Sequence, residues 1–80
     1  MSHEELLKLV TVNSHVCGGR PCIRDTRIDI SVILDSLAEG LRPDEIIDHF
    51  PELTQKHIRA AAAYAGRLVR EQVEDVPTSV

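Results

Sequence analysis

The spacing of the apolar side chains changes once along the chain, near residue 31, and this change constrains the fold most. Before it, the β-branched run at 9–12 and the alternating run at 26–30 are typical of short strands. After it, apolar residues recur every three or four positions, which is the helical period. The sequence therefore predicts a mainly α-helical fold, a three-helix, helix-turn-helix or winged-helix-like domain with short N-terminal strands or a hairpin.

Three helices are predicted between residues 31 and 73. Gly40 is expected to close the first, Pro43 to begin the second and Pro51 to end it. Thr54 is the expected N-cap of the third helix. The apolar face predicted for that third helix consists of Ile58, Ala61, Ala62, Ala65, Leu68, Val69 and Val73.

The chain is expected to form one domain at 9–73, with a β region at 9–30 and the helices at 31–73. Residues 1–8 are interpreted as a lead-in and 74–80 as a flexible tail. A chain of 80 residues buries only about 63% of its surface. Its core is aliphatic, because the sequence has one Phe, one Tyr and no Trp. A core this small favours a homodimer.

The composition also bears on location and activity. No apolar run approaches the roughly 18 residues that a membrane span needs, and the acidic start of the chain lacks a signal-peptide core. We therefore expect a cytoplasmic protein without a membrane partner. No nucleophile, base and orienting residue can be recognised as a set. We expect neither enzymatic activity nor a cofactor.

The net charge of −4 hides a strong segregation of charge. Residues 31–52 hold six acidic side chains and one arginine, whereas residues 53–70 hold four basic side chains and no acidic one. On a helix these four would lie in one stripe with Ala63. The sequence thus predicts a continuous basic ridge opposite the apolar face of the third helix, formed by Lys56, Arg59, Arg67 and Arg70.

The last two predicted helices follow each other as in a helix-turn-helix unit, in which the start of the final helix meets base edges. Glutamine can read adenine, and lysine or arginine can read guanine. Two observations keep another interpretation open: a polar helix face is often merely solvated, and the acidic second helix would lie near phosphates. The candidate DNA-binding residues are Thr54, Gln55, Lys56, His57 and Arg59.

Other arginines are candidates for contacts with phosphates or with a protein partner, namely Arg20, Arg24, Arg27, Arg67 and Arg70. The last two lie beyond the usual reach of a recognition helix into one groove, so they would serve a partner or a dimer. For Arg27 we favour a structural role, in an internal pair with Asp29, Asp35 or another carboxylate.

The two cysteines, Cys17 and Cys22, are too few for a disulfide framework. We interpret them as small apolar thiols near a hairpin. A zinc site would have to combine both with His15 and a fourth ligand, and we expect no metal. The histidines available as that fourth ligand are His3, His49 and His57.

Two blocks of the sequence follow a known pattern. The first reads G-G-x-P-x-I-x-G-T-R-I and is matched by Gly18, Gly19, Pro21, Ile23, Thr26, Arg27 and Ile28. The second is matched by Gly40, Leu41, Pro43, Glu45, Ile46, Ile47, Pro51, Leu53, Thr54, Ile58, Ala61, Tyr64 and Ala65. Over residues 9–66 the chain resembles the small bacterial family called domain of unknown function 433 (DUF433).

This resemblance implies a small helix-turn-helix or winged-helix-like fold. Some family members resemble antitoxins of type II toxin–antitoxin pairs. The resemblance therefore implies an antitoxin-like protein that binds operator DNA and a PIN-like ribonuclease toxin. The alternative is a protein–protein interaction module with no nucleic-acid role, which the acidic second helix and the net negative charge favour.

The sequence departs from the family pattern at two informative positions. Asp25 stands where the family has glycine, and we expect it to adopt the left-handed conformation, which aspartate tolerates better than most residues. His57 stands where the acid of a capping box is common, and we expect it to add positive charge to the start of the third helix.

Overall fold

The computed structural model describes residues 2–72, so Val73 and the predicted tail at 74–80 lie outside the described residues. Within residues 2–72 the chain is mainly helical, with one short antiparallel pair of strands in its N-terminal part, which confirms the predicted fold class. In chain order the elements are α1 (His3–Leu7), β1 (Val10–Thr11), a 3-10 turn (Cys17–Gly19), β2 (Cys22–Ile23), α2 (Ile30–Ala38), α3 (Pro43–His49) and α4 (Gln55–Gln72).

Helix α1 was not predicted, since residues 1–8 were interpreted as a lead-in. A capping box begins it: the Glu5 N–H donates to the Ser2 hydroxyl at 3.2 Å, and the Ser2 N–H donates to the Glu5 carboxylate at 3.4 Å. Leu6 is buried. A helix of five residues is not stable by itself, so its packing against α4 must stabilise it.

The strands pair in the register Val10 with Ile23 and Thr11 with Cys22. Between β2 and the run at 26–30 there is a single bridge, which joins Cys22 to Asp29. The turn between them is formed as predicted, because Asp25 has a φ of 65°. Cys22 therefore has Thr11 on one edge and Asp29 on the other.

The corner after α2 has the predicted glycine ending. Gly40 has a φ of 94°, its N–H donates to the Leu37 carbonyl at 3.0 Å, and the Leu41 N–H donates to the Ser36 carbonyl at 3.1 Å. These are the two hydrogen bonds of a Schellman motif. Pro43 then occupies the first position of α3 as predicted.

An aliphatic core joins the strands to the helices. Its least exposed large side chains, all at 2% exposure or less, are Ile23, Ile33, Ile46 and Leu53. Ala60 and Ala61 of α4 are completely buried beside them, so α4 is the helix around which the other elements are arranged. Among the described residues, no helix is both long enough and apolar enough to cross a membrane.

Candidate nucleic-acid interface

The corner between α3 and α4 fixes where α4 begins. The Leu53 side chain is buried, and its N–H donates to the Phe50 carbonyl at 2.9 Å. The Thr54 carbonyl then accepts hydrogen bonds from the N–H groups of His57 and Ile58, at 3.0 and 3.3 Å. Thr54 therefore occupies the position just before α4, as the sequence predicted.

His57 completes this start of the helix. Its Nδ1 atom accepts a hydrogen bond from the Thr54 backbone N–H at 3.0 Å, and the Thr54 hydroxyl lies 3.4 Å from the same nitrogen. Partial burial lowers the pKa of His57 below its ordinary value. The expectation that His57 adds positive charge here is wrong, because only the neutral imidazole can accept this hydrogen bond.

The other candidate base-reading residues, Thr54, Gln55, Lys56 and Arg59, are exposed. Within residues 2–72, neither Lys56 nor Arg59 forms an ion pair, so both cations are available to a ligand. The Gln55 side chain is engaged: its Nε2 donates to Asp44 Oδ1 at 3.0 Å. This bond ties the first residue of α4 to the first turn of α3, and the sequence alone gave no sign of it.

The predicted continuous basic ridge on α4 is wrong. Ala63, which should lie within it, is only 6% exposed, and the neighbouring Ala60 is completely buried. Helix α1 packs against α4 more extensively than any other element does, and its residues His3 and Leu6 lie beside Ala63. The basic residues are thereby separated into an N-terminal pair, Lys56 and Arg59, and a C-terminal pair, Arg67 and Arg70.

The predicted apolar face of α4 also needs correction. Ala62 is exposed, and Leu68 and Val69 are 38% and 61% exposed. Val69 belongs to the lining of an open apolar groove of about 340 Å³ between the start of α2 and the second half of α4. The groove is lined by Arg20, Pro21, Asp29, Ile30, Ser31, Leu34, Tyr64, Ala65, Leu68 and Val69.

Two of the three arginines in the β region have structural partners. Arg20 forms an ion pair with Asp29, with Nε and Oδ2 at 2.7 Å, and donates to the Ser31 hydroxyl at 3.1 Å. Arg24 Nε donates to the backbone carbonyl of Lys8 at 2.8 Å. Both arginines therefore hold the fold together, which the sequence left undecided.

Arg27 does not form the internal ion pair that the sequence analysis favoured. It is exposed, and in the described part of the chain it forms no ion pair or side-chain hydrogen bond. The expected pair with Asp29 does not form, because that carboxylate is taken by Arg20. Arg27 instead lines a polar cleft of about 550 Å³, together with Thr11, Asn13, Val16, Arg24, Asp25, Thr26 and Glu52.

The zinc ligands considered for the β region are not gathered into a site. Across residues 2–72, no group of three or more His, Cys, Asp or Glu side chains lies close enough together to hold a metal ion. Cys17 and Cys22 are free thiols, the first half-buried and the second buried.

Comparisons with known proteins agree with this architecture. Residues 10–65 match the sequence model of the family DUF433, described as "Protein of unknown function". The chain is 31% identical over 58 residues to an uncharacterised protein, y4eO, of Sinorhizobium fredii, and the match covers 72% of this chain. It covers 26% of y4eO, so this chain spans about a quarter of that relative's length.

A solved structure has the same fold. It is the crystal structure of a DUF433 member from Anabaena variabilis, which is similar to this chain with a TM-score of 0.68 at 27% sequence identity. The similarity covers 89% of this chain and 74% of the other.

Proposed function

The chain belongs to the DUF433 family of proteins of unknown function, and we propose that it is an antitoxin-like, DNA-binding protein of a type II toxin–antitoxin pair. In this proposal a homodimer binds operator DNA through the start of α4. A PIN-like ribonuclease toxin binds elsewhere on the same chain.

One observation carries the DNA half of the proposal: Lys56 and Arg59 lie exposed and without an ion-pair partner among the described residues, on the first two turns of α4. In a helix-turn-helix unit these turns of the second helix meet base edges in the major groove. The buried Leu53 and the Thr54–His57 cap hold this end of α4 in place. Rigid elements present side chains to a partner more accurately than loops do.

The acidic surface of α3 shapes how DNA would approach. Asp44, Glu45 and Asp48 are exposed and would repel phosphates. Phosphate contacts must then come from basic groups on other elements. Arg27 in the polar cleft suits this role, because within residues 2–72 it has no ion-pair partner. To bind a base, the Gln55 amide must first break its hydrogen bond to Asp44.

In the second half of the proposal, the toxin binds at the C-terminal end of α4. The apolar groove and the exposed Val69 lie there, together with the C-terminal basic pair. A toxin bound there would leave the N-terminal pair free, since Lys56 and Arg67 lie 11 positions apart on one helix, about 16 Å along its axis.

The test is a binding titration with duplex DNA taken from upstream of the protein's own gene, against random duplex of equal length. We expect preferential binding that weakens steeply with salt, because each phosphate contact releases counterions. The double variant Lys56→Ala/Arg59→Ala should lose at least about tenfold in affinity.

The matched control is Arg67→Ala/Arg70→Ala, which removes the same charge from the same helix. Its affinity for DNA should be closer to that of the unmodified protein than the affinity of Lys56→Ala/Arg59→Ala is. Equal affinity for both duplexes, together with no effect of the Lys56→Ala/Arg59→Ala change, would refute the DNA half.

A second candidate function is a protein–protein interaction module with no nucleic-acid role. Two observations favour it. The Gln55 amide already donates a hydrogen bond to Asp44, and Val69 is exposed at the apolar groove. Co-expression with the product of the adjacent gene tests both this function and the partner half above. Val69→Asp should abolish co-purification, whereas Val12→Asp, at a residue with 59% exposure, should not.

A further inference from the structure

A second groove runs along the second half of α4, on the other side of that helix from the apolar groove. Its volume is about 310 Å³, and apolar side chains from residues 7–12 form its other wall. Tyr64 and Leu68 line both grooves, whereas Val69 lines the apolar groove and Arg67 lines the second. By helical geometry, Val69 and Arg67 lie on opposite sides of the line through Tyr64 and Leu68. The two grooves are therefore separate surfaces.

Exposed apolar side chains stand on both walls of the second groove. Val12, just after β1, is 59% exposed, and Leu68 of α4 is 38% exposed. Between them lie the half-buried Leu7 and the buried Val10. A single exposed apolar side chain is ordinary, but several that line one groove form a patch that a partner can cover. The surface thus offers both a projecting side chain and a hollow to receive one.

The rim of the second groove carries one charge of each sign. Arg67 Nε donates to the Glu71 carboxylate at 3.0 Å, and both side chains are more than half exposed. A partner of one predominant charge, such as DNA, would meet a like charge as well as an opposite one. A second copy, related by a two-fold axis, presents the same two charges in reverse order. The rim is therefore complementary to itself.

We propose that the second groove is the interface of a homodimer, in which two copies of α4 cross in opposite directions near Leu68. Leu68 of each copy enters the groove of the other, beside Val12, and Arg67 of each copy meets Glu71 of the other. Both copies use the same surface, so the assembly closes at two chains. The apolar contacts supply the affinity, whereas the exposed charges mainly fix the orientation.

This crossing also sets the distance between the two DNA-binding ends of the dimer. Lys56 lies 12 positions before Leu68, about 18 Å along the helix axis. Two helices that cross in opposite directions at Leu68 place their Lys56 residues about 36 Å apart. The half-sites of a dimeric helix-turn-helix protein are about 34–36 Å apart. This agreement rests on the proposed function, whereas the apolar walls and the rim charges do not.

The test is sedimentation equilibrium of the full chain without DNA, over a hundredfold range of protein concentration. We expect a species with twice the mass of one chain. Val12→Asp and Leu68→Asp each bring a charge into the interface and should raise the dimer dissociation constant at least about tenfold. Both residues are exposed, and circular dichroism checks that the variants fold. The matched control is Val69→Asp, which adds the same charge on the other side of α4 and should leave the dissociation constant unchanged.

A charge reversal tests the orientation of the two copies. Arg67→Glu places like charges at both rim contacts and should weaken the dimer several-fold. Arg67→Glu/Glu71→Arg restores an opposite pair at each contact and should return the dissociation constant to that of the unmodified protein. A double variant that dimerises as weakly as Arg67→Glu would contradict the proposed crossing.

Other outcomes of the sedimentation experiment would overturn the interface itself. They are the mass of one chain at every concentration, a dimer that Val12→Asp and Leu68→Asp leave unchanged, and a dimer that Val69→Asp weakens as strongly as Leu68→Asp does. Because DNA is absent from this experiment, a failure of the interface is distinguished from a failure of the DNA half of the proposed function, which the DNA titration tests.

Discussion

The imidazole of His57 takes the place of a carboxylate at the start of α4, with its Nδ1 atom 3.0 Å from the backbone nitrogen of Thr54. A capping-box acid makes the same bond with a permanent negative charge at neutral pH. A histidine makes it only while neutral, because both ring nitrogens become donors once the ring is protonated. The cap of α4 therefore depends on pH.

Acidification should weaken the fold through this cap. Burial lowers the folded pKa of His57 below its ordinary value of 6.5, so the unfolded chain binds the proton more readily. The stabilisation is fully present above pH 6.5 and is lost as the pH falls through the folded pKa. Urea unfolding of the unmodified protein and of His57→Gln, from about pH 8 to pH 5, measures this. The glutamine variant should lose less stability, and parallel curves would contradict the assignment.

Asp29 should contribute more to stability than other acids on the same helix. Its carboxylate accepts the Ser31 N–H at 2.8 Å, which caps α2, and pairs with Arg20. Asp29→Ala should lower the free energy of unfolding by about 1–2 kcal/mol. Asp35→Ala removes an equal charge from an exposed position of α2 and should change it by less than about 0.5 kcal/mol. Equal losses in chemical denaturation would show that charge, and not the cap, matters.

Glycine should be better than aspartate at position 25. Asp25 has a φ of 65°, a conformation that glycine adopts without steric cost. We expect Asp25→Gly to leave the thermal midpoint unchanged or to raise it. The same substitution at Asp35, inside α2, should lower the free energy of unfolding by about 0.3 kcal/mol. A clear loss of stability in Asp25→Gly would mean that the aspartate side chain has a structural role in the turn.

Removing Asp44 should strengthen DNA binding if the proposed function is correct. The carboxylate both holds the Gln55 amide and repels nearby phosphates. Asp44→Ala should raise the affinity for duplex DNA several-fold more than Glu4→Ala, which removes an equal charge from α1. A lower affinity of Asp44→Ala in the same titration would show that Gln55 has to be held by Asp44 to bind.

The predictions that came true concern interactions between near neighbours in the chain. Gly40, Pro43 and Pro51 act on hydrogen bonds that span three to five residues, so the ends of α2 and α3 could be read directly. The left-handed turn at Asp25 and the position of Thr54 before α4 are equally local. For the candidate site, the position of Lys56 and Arg59 on the first two turns of α4 follows from this local order as well.

The side-chain contacts between these elements could not be predicted from the sequence in the same way. Arg20, and not Arg27, pairs with Asp29, because the turn at Gly18–Gly19 carries Arg20 to the start of α2. His57 was expected to carry a positive charge, but it caps α4 as a neutral imidazole. This could not be predicted, because the burial of its ring depends on the packing of other elements around it. Helix α1 was not predicted, because whether so short a helix forms depends on the surface that it can cover.

By itself, the sequence determined the fold class, the order of the three later helices and the segregation of charge along the chain. Only the tertiary structure decided which face of α4 reaches the surface. Ala60 and Ala63 are buried on the helix against which α1 packs, and their burial separates the basic residues into two pairs at opposite ends of α4. The physical reason is that capping and periodicity act within one or two turns, whereas the covering of a helix face depends on residues about 60 positions apart in this chain.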